Sequence, residues 1–232
     1  MNFDTLFNRI RRRFPPEIVS AVRADSLTFL EVEALNDLYY TVKAIERERI
    51  PGCLIETGCA AGGSAIVLAN AKQVNRPLAV YDVFGMIPPP SEKDEEDVHR
   101  RYELIKAGGA EGIGGRAYYG YEEDLMQAVI DSFDRHDLPV GRNNVRMIKG
   151  LFEDTITLDE PVALAHIDGD WYESVYVCLE RIAPNLVLGG RFVIDDYDAW
   201  SGCRKAVDDF FKGRSEEFVF VKKSRLHIVR SH

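Results

Sequence analysis

The stretch Cys53-Leu-Ile-Glu-Thr-Gly-Cys-Ala-Ala-Gly-Gly-Ser64 decides the fold of this chain. It opens with an apolar run that ends in an acid, Glu56, and it passes through a glycine-rich turn into the apolar segment Ser64–Ala69. This order predicts a strand, a tight turn and a helix. Backbone N–H groups at the start of a helix have no partner within the helix, so we expect the turn to hold a ligand.

Two classes of cofactor site use this strand–turn–helix layout, and a ligand-free glycine-rich bend is the structural alternative. Dinucleotide enzymes carry G-x-G-x-x-G, whose second glycine lets the backbone approach a pyrophosphate; here that position is Ala60. The spacing of Glu56, Gly58 and Gly62 instead follows E-x-G-x-x-x-G, the first motif of S-adenosylmethionine (SAM) methyltransferases. Asp82 ends the next apolar run, where a carboxylate accepts ribose hydroxyls. Because SAM and NAD both carry a ribose, Asp82 favours both equally.

Length and composition limit the class of protein. The 232 residues, 46% of them apolar, fit one α/β domain with additional segments. The net charge of −9 argues against a nucleic-acid partner. The four cysteines show no C-x-x-C pair and no metal spacing, which predicts reduced intracellular thiols. No apolar run is long enough for a signal peptide or a membrane span, so we predict a soluble cytoplasmic protein with no membrane partner, compatible with a homo-oligomer.

The pattern along the chain predicts a helical arm or lid over residues 1–50 and a catalytic domain over residues 51–232. Further strands are predicted at Pro77–Asp82, Val145–Lys149, Val162–Asp168 and, after a turn at Gly189-Gly190, Arg191–Asp195, with an antiparallel hairpin at Phe218–Val221 and Leu226–Val229. Strands that alternate with helices form parallel sheets with right-handed crossovers. We therefore predict a Rossmann-like α/β fold, namely a mostly parallel seven-stranded sheet whose C-terminal hairpin is typical of class I methyltransferases.

Residues 85–140 exceed a minimal α/β unit and are predicted to be an insertion. A proline-rich stretch leads into a charged helix from Ser91 to about Ala107, and a second helix follows from about Tyr121 to Phe133. Between them, residues 108–120 contain six glycines. A long glycine-rich segment beside a site is often a mobile lid, and a disordered excursion is the alternative.

Carboxylates follow two neighbouring predicted strands, as Asp168-Gly-Asp170 and Asp195-Asp196. In an open parallel sheet the carboxyl ends of the strands share one edge, where ligands bind. Clustered carboxylates raise one another's pKa, and no basic residue is adjacent in sequence to balance them. A divalent cation removes that cost, and oxygen ligands favour Mg²⁺ or Mn²⁺. The alternative is that each acid caps the helix that follows it.

The motifs taken together resemble the macrocin/mycinamicin O-methyltransferase family. The resemblance rests on these stretches, in order between residues 51 and 214: Glu56-Thr-Gly58, Gly62-Gly-Ser64, Asp82-Val-Phe-Gly85, Lys149-Gly-Leu-Phe-Glu-Asp-Thr155, His166-Ile-Asp-Gly-Asp-Trp-Tyr-Glu-Ser174, Asp195-Asp-Tyr197 and Cys203-Arg-Lys-Ala-Val-Asp208. Members of this family use SAM and Mg²⁺ to methylate sugar hydroxyls of secondary metabolites. The resemblance therefore implies a SAM- and Mg²⁺-dependent O-methyltransferase acting on a small-molecule acceptor with vicinal oxygens.

The resemblance also implies roles for individual residues. It makes Asp168, Asp195 and Asp196 the metal ligands, with Asp168 also the general base. The implied SAM-binding residues are Glu56, Thr57, Gly58, Ala60, Gly62, Gly63, Ser64, Asp82, Gly150 and Asp168. Cys59-Ala-Ala61 departs from the Val-Trp-Arg of many relatives, and Trp171 stands where catechol-type enzymes have a lysine base.

Three alternatives remain at the level of the sequence. An NAD-dependent sugar oxidoreductase would share Asp82, and an O-methyltransferase of a catechol-like phenol would share the acids. A non-catalytic SAM-binding scaffold would not need the acids. His166 either lies behind the metal ligands or is a core residue with satisfied hydrogen bonds.

Overall fold

The protein is described by a computed structural model that covers residues 15–214 and 216–232. Residues 1–14 of the predicted arm lie outside these described residues. Among the described residues, no helix combines the length and apolar character needed to cross a bilayer.

Helices and strands alternate after two N-terminal helices. The helices are α1 (Glu17–Ala24), α2 (Val32–Glu48), α3 (Gly63–Ala71), α4 (Glu96–Lys106), α5 (Leu125–Arg135), α6 (Phe152–Thr155), α7 (Tyr172–Ile182) and α8 (Ser201–Phe211). The strands are β1 (Cys53–Thr57), β2 (Leu78–Asp82), β3 (Val145–Lys149), β4 (Val162–Ile167), β5 (Leu186–Ile194), β6 (Phe218–Lys222) and β7 (Leu226–Arg230). Short 3₁₀ turns lie at Ile113–Gly115, Tyr119–Tyr121 and Ala183–Asn185.

The strands form one seven-stranded sheet in the order β3-β2-β1-β4-β5-β7-β6. Strands β1 to β5 are parallel, and β7 runs antiparallel to both β5 and β6. The prediction of a mostly parallel sheet closed by an antiparallel hairpin is therefore confirmed. This order places the carboxyl ends of β1, β2, β4 and β5 at one edge, next to one another.

The sheet is buried between two hydrophobic layers. One layer joins helices α1, α2, α3 and α5 to one face, through residues such as Leu54 and Val80. The other joins α7 and α8 to the opposite face, through residues such as Ile55 and Ala165. The central strands β1, β2 and β4 are buried along their whole length, as their unbroken apolar runs predict. The N-terminal arm is thus part of the core on one face.

Strand β5 differs from its predicted start. A turn was expected at Gly189-Gly190, but both glycines lie within β5, which begins at Leu186. The pairing of β4 with β5 shifts register between Val162 and Leu164, and Gly189 takes a left-handed φ of 76°. A Cβ on Gly190 would lie 3.0 Å from Val162 O. The glycine pair therefore marks an irregularity inside the strand, where two backbones approach closely.

The charged run at the start of the insertion holds the two core helices that follow the acidic loops. Asp94 Oδ1 accepts the Tyr172 N–H of α7 at 2.7 Å. Asp97 Oδ2 accepts the Ser201 N–H of α8 at 3.1 Å. Helix α4 begins at Glu96 and not at Ser91. The insertion is therefore fastened to the carboxyl edge of the sheet, and the mobility of its glycine-rich part stays a prediction.

Gly63→Ala should destabilise the protein by about 1–2 kcal/mol. A Cβ on Gly63 would lie 2.7 Å from both Leu27 O and Thr28 Cβ of the arm, so backbone would have to move. Such overpacking costs about 1–3 kcal/mol, and the roughly 1 kcal/mol that alanine gains over glycine in a helix interior is only partly available at Gly63, the first residue of α3. Urea unfolding measures the difference. Gly141→Ala is the matched control, because nothing lies within 4 Å of its Cβ position. An equally stable Gly63→Ala variant would show that the arm is not packed against this helix.

Candidate active site

Hydrogen bonds to neighbouring segments close the glycine-rich turn after β1. Gly58 N–H donates to Tyr81 O at 2.9 Å, Gly62 N–H to Cys59 O at 2.7 Å, and Gly63 N–H to Leu27 O at 2.9 Å. The expectation that the amides of this turn are left for a ligand is therefore wrong for these three. The arm supplies the partner of Gly63, an interaction that no local pattern indicates.

Asp82 organises the turn from the end of β2. Its Oδ2 accepts the Cys59 N–H and its Oδ1 accepts the Phe84 N–H, each at 2.7 Å. Burial raises the pKa of Asp82, and these backbone bonds oppose the rise. The two oxygens of a carboxylate together offer about four acceptor sites. Asp82 can therefore shape the turn and still accept a ligand hydroxyl.

Gly58 brings the turn against the loop that follows β4. A Cβ at this position would overlap Asp168 O, so no larger residue fits without moving the backbone. Asp168 N–H also donates to Thr57 O at 2.9 Å, which continues the β1–β4 ladder past its last paired residues. The acid predicted to be catalytic is thus held beside the glycine-rich turn.

The structure brings together the three acids that were predicted to bind metal. Asp168, Asp195 and Asp196 each offer a carboxylate oxygen, and these oxygens lie within 4.8 Å of one another. Asp196 is 8% exposed, and its Oδ2 is buried without a hydrogen-bond partner among the described residues. A buried oxygen without a partner is costly unless a cation or donor meets it. This arrangement fits a divalent cation with oxygen ligands.

The alternative that these acids cap helices is wrong. Helices α7 and α8 start at Tyr172 and Ser201, and the residue before each start makes no side-chain capping bond. The first amides of the two helices are instead bonded by Asp94 and Asp97 from the insertion. The acids after β4 and β5 are therefore not used to cap these two helices.

The charges of the three acids are balanced unequally. Burial and then the neighbouring carboxylates raise the pKa of Asp168 and Asp196 well above the usual range. Burial would also raise the pKa of Asp195, but His166 and Arg225 outweigh it and the pKa of Asp195 is lowered. Arg225 Nε donates to Asp195 Oδ1 at 2.6 Å. The expectation that no basic residue balances the cluster is wrong for Asp195, because Arg225 reaches it from the β6–β7 turn.

His166 lies behind the cluster and pairs with Glu56. Its Nδ1 is 2.9 Å from Glu56 Oε2, and its Nε2 is 3.8 Å from Asp195 Oδ1. Burial alone would lower the pKa of His166, but Glu56 and Asp195 outweigh it and raise its pKa to about 10. Ser64 Oγ donates to the other Glu56 oxygen. The buried His166 therefore connects Glu56 and Ser64 to Asp195 of the acidic cluster. This agrees with a place for His166 behind the metal ligands.

Two cavities meet at the acids. The turn-side cavity, of about 370 Å³, is lined by residues that include Gly58, Asp82, Leu151 and Asp168. The acid-side cavity, of about 400 Å³, contains the three acids and an aromatic wall of Phe29, Tyr118, Tyr119, Trp171 and Trp200. Both cavities share Ala60, Tyr119, Asp168 and Asp170. A group held in one cavity therefore faces a group held in the other across this shared wall.

Half of the residues predicted to bind SAM line these cavities. Gly58, Ala60, Ser64, Asp82 and Asp168 do so, whereas Glu56, Thr57, Gly62, Gly63 and Gly150 line neither. Glu56 and Thr57 are fully buried beneath the turn. Gly62 and Gly63 are packed against Val129 and the arm, and Gly150 N–H donates to Asp82 O at 3.0 Å. These residues support the shape of the turn, and their ligand contacts stay predictions.

Sequence reasoning missed two residues at the site, Tyr119 and Arg225, and gave Asp170 a place among the acids but no role of its own. Asp170 takes a left-handed φ of 53°, and burial followed by Asp195 raises its pKa to about 6. The Asp-Gly-Asp doublet was a signal for it. Tyr119 of the insertion borders both cavities. Tyr119 and Arg225 carry no local signal, because the fold alone brings them to the acids.

Comparison with known proteins decides the family. The profile described as Macrocin-O-methyltransferase (TylF) matches residues 24–217, which is most of the chain. The chain belongs to this family. It is 32% identical over 193 residues to the 8-demethyl-8-(2,3-dimethoxy-alpha-L-rhamnosyl)-tetracenomycin-C 4'-O-methyltransferase of Streptomyces olivaceus, covering 81% of this chain and 68% of that protein.

Two further similarities agree with the macrocin O-methyltransferase family. The mycinamicin III 3''-O-methyltransferase of Micromonospora griseorubida is 27% identical over 217 residues, covering 88% of this chain and 78% of that protein. The solved structure of the O-methyltransferase NovP superimposes with a TM-score of 0.74 at 22% identity, covering 98% of this chain and 99% of that chain. The prediction of a SAM-dependent O-methyltransferase is therefore confirmed as the enzyme class, and the NAD-dependent oxidoreductase alternative is excluded.

Proposed function

We propose that this macrocin-family enzyme transfers a methyl group from SAM to a hydroxyl of a glycosylated secondary metabolite, with a divalent cation at Asp168, Asp195 and Asp196. The observation that carries the proposal is the pair of cavities that meet at Asp168 and Ala60. Of the two relatives described above, one is named as the 4'-O-methyltransferase of a rhamnosyl-tetracenomycin and the other as the 3''-O-methyltransferase of mycinamicin III. The acceptor we propose has two vicinal oxygens, one of them the hydroxyl that is methylated.

The turn-side cavity suits the methyl donor. Asp82 at its wall presents carboxylate oxygens that can accept ribose hydroxyls, as in other nucleotide-binding α/β sites. Leu151 and Phe152 add apolar surface for a purine ring. Ala60 and Asp168, at the wall shared with the acid-side cavity, are where the reacting groups meet.

The acid-side cavity suits a sugar acceptor. Its aromatic side chains offer flat apolar faces, and its carboxylates offer hydrogen-bond acceptors for hydroxyl groups. A divalent cation, when bound, would act as a Lewis acid that lowers the pKa of the acceptor hydroxyl. Asp168 faces both cavities and can take the hydroxyl proton on its carboxylate. Holding the two reactants in contact supplies a large part of the rate.

The test is methyl transfer from labelled SAM to a panel of acceptors in the presence of Mg²⁺. The panel contains natural-product rhamnosides, their sugar-free aglycones and catechols. We expect label in the rhamnosides and none in the aglycones. Label in catechols alone would replace the sugar assignment by the phenol alternative. No label in any acceptor, with SAM bound, would contradict the proposed acceptor class.

Asp82→Ala should weaken SAM binding by about 1–3 kcal/mol, the range for a hydrogen bond to a charged group. The variant loses the proposed ribose contact and the two bonds that shape the turn. Titration calorimetry with SAM and with NAD measures the change, and NAD should not bind to either form. Asp198→Ala is the control, because Asp198 is exposed and lines neither cavity. Equal SAM affinity in wild type and Asp82→Ala would remove Asp82 from the binding site.

A further inference from the structure

One side chain connects the acidic cluster to the N-terminal arm. Arg225 lies in the turn between β6 and β7 and donates through Nε to Asp195 Oδ1 at 2.6 Å. Its Nη2 donates to Glu31 Oε2 at 3.0 Å, and Glu31 directly precedes helix α2 of the arm. Arg225 and Asp195 are mostly buried, with side chains 22% and 10% exposed, whereas Glu31 is 70% exposed. The guanidinium therefore spans from the surface of the arm to a proposed cation ligand.

The turn that carries Arg225 is independently fixed to the arm. Asp37 of helix α2 accepts a hydrogen bond from Ser224 Oγ at 2.7 Å and lies 3.0 Å from His227 Nε2. Lys223 Nζ lies 3.4 Å from the same carboxylate. Because Lys223 and Ser224, the two residues before Arg225, and His227 of β7 are held to the arm, the position of Arg225 is set by the docking of the arm.

The contact restricts Asp195 to one orientation. Oδ1 is occupied by Arg225 and is also the oxygen nearest His166 Nε2, at 3.8 Å. With Oδ1 held on one side, the carboxylate cannot rotate freely and Oδ2 remains for the cluster. The planar guanidinium can hold two carboxylates in fixed directions at once, which a lysine ammonium on a flexible stem cannot. Arg225 therefore fixes the orientation of the Asp195 carboxylate in addition to balancing its charge.

Two opposing effects of Arg225 on a cation at the cluster can be separated. Its positive charge repels a divalent cation, so charge alone predicts tighter cation binding when Arg225 is neutralised. Its hold on Asp195 pre-orients a ligand, and loss of such partners typically weakens metal affinity about 10–100-fold. Part of the charge of Arg225 is offset outside the cluster, by Glu31. Orientation is therefore the larger effect.

We infer that Arg225 is a positioning residue that orients Asp195 for the divalent cation and makes this orientation depend on Glu31 of the docked arm. The inference rests on the proposed cation site. It adds that the arm, besides lining the acid-side cavity with residues such as Phe29, takes part in assembling the cation site. None of the family motifs contains Arg225 or Glu31.

The test is the affinity for Mn²⁺, measured on the whole chain by calorimetry and by electron paramagnetic resonance without acceptor. Arg225→Lys retains the charge but cannot hold both carboxylates, and we expect about tenfold weaker Mn²⁺ binding. Arg225→Gln should also weaken binding. Glu31→Ala should weaken it about threefold, and Glu31→Ala combined with Arg225→Lys should be no weaker than Arg225→Lys alone. SAM affinity and the circular dichroism spectrum should match wild type in Glu31→Ala and Arg225→Lys.

Lys222→Gln is the matched control. Lys222 is on the same hairpin, and its Nζ pairs with the exposed carboxylate of Asp198 at 2.9 Å. Removing this charge should leave Mn²⁺ affinity unchanged. Tighter Mn²⁺ binding by Arg225→Gln, or unchanged binding by Arg225→Lys and Glu31→Ala, would overturn the positioning role while leaving the cation site intact. Failure of the wild type to bind Mn²⁺ would overturn the proposed cation site, and this inference with it.

Discussion

Methyl transfer should stop in EDTA and return when Mg²⁺ is added in excess. Three carboxylates present oxygens within 4.8 Å of one another, and only Asp195 has a cationic side chain bonded to it among the described residues. Without a cation, burial and mutual repulsion favour protonation of Asp168 and Asp196, because the pKa of each is raised well above its usual range. A protonated Asp168 cannot take the hydroxyl proton. The measurement is label transferred from SAM to a rhamnoside that the panel identifies.

The control for chelation is the binding of SAM itself. Asp82 lines the turn-side cavity and does not belong to the acidic cluster, so SAM affinity by calorimetry should change little in EDTA. Loss of turnover together with retained SAM binding would place the cation on the acceptor side. Undiminished turnover in EDTA would show that Asp168 acts as a base without metal, and the cation would be removed from the proposed mechanism.

The sheet could be predicted because its signals are local. The apolar runs of β1, β2 and β4 are fully buried, and each ends in, or directly before, a polar residue at the same edge. Asp168, Asp195 and Asp196 could be placed together from the topology alone, since β4 and β5 are adjacent. The prediction of a turn at Gly189-Gly190 was wrong, although it also rested on a local signal. This glycine pair has the composition of a turn but lies inside β5, where the backbones of β4 and β5 come close together.

The partners of the site could not be predicted, because they come from distant segments. Asp94 and Asp97 of the insertion supply the bonds at the starts of α7 and α8, so the adjacent acids are not needed there. Arg225 contacts Asp195 from 30 residues further along the chain. Leu27 O of the arm accepts the hydrogen bond of the Gly63 amide. Side chains and carbonyls of this kind carry no periodicity or spacing, and only the packed structure reveals them.

His166→Leu should lower the free energy of unfolding by about 3–5 kcal/mol, the usual cost of removing one member of a buried ion pair. Neither the His166 nor the Glu56 side chain is exposed, and Nδ1 of the histidine is 2.9 Å from Glu56 Oε2. Without His166, the described residues leave Glu56 with the bond from Ser64 Oγ and leave Asp195 with Arg225. The Glu56 carboxylate would then either stay buried without a positively charged partner or take up a proton. Urea unfolding at pH 7, followed by circular dichroism, measures the loss.

The double variant Glu56→Met/His166→Leu separates the cost of an unpaired charge from the cost of lost packing. Apolar residues of similar volume in place of a buried ion pair are often neutral or stabilising, so the double variant should recover most of the stability lost by His166→Leu. A double variant as unstable as the sum of the two single variants would show that the residues stabilise the core independently, and that the 2.9 Å contact is not an ion pair. If the pair also supports the site, the double variant should fold but bind SAM and Mn²⁺ more weakly, because Ser64 and Asp195 have each lost a partner that orients them.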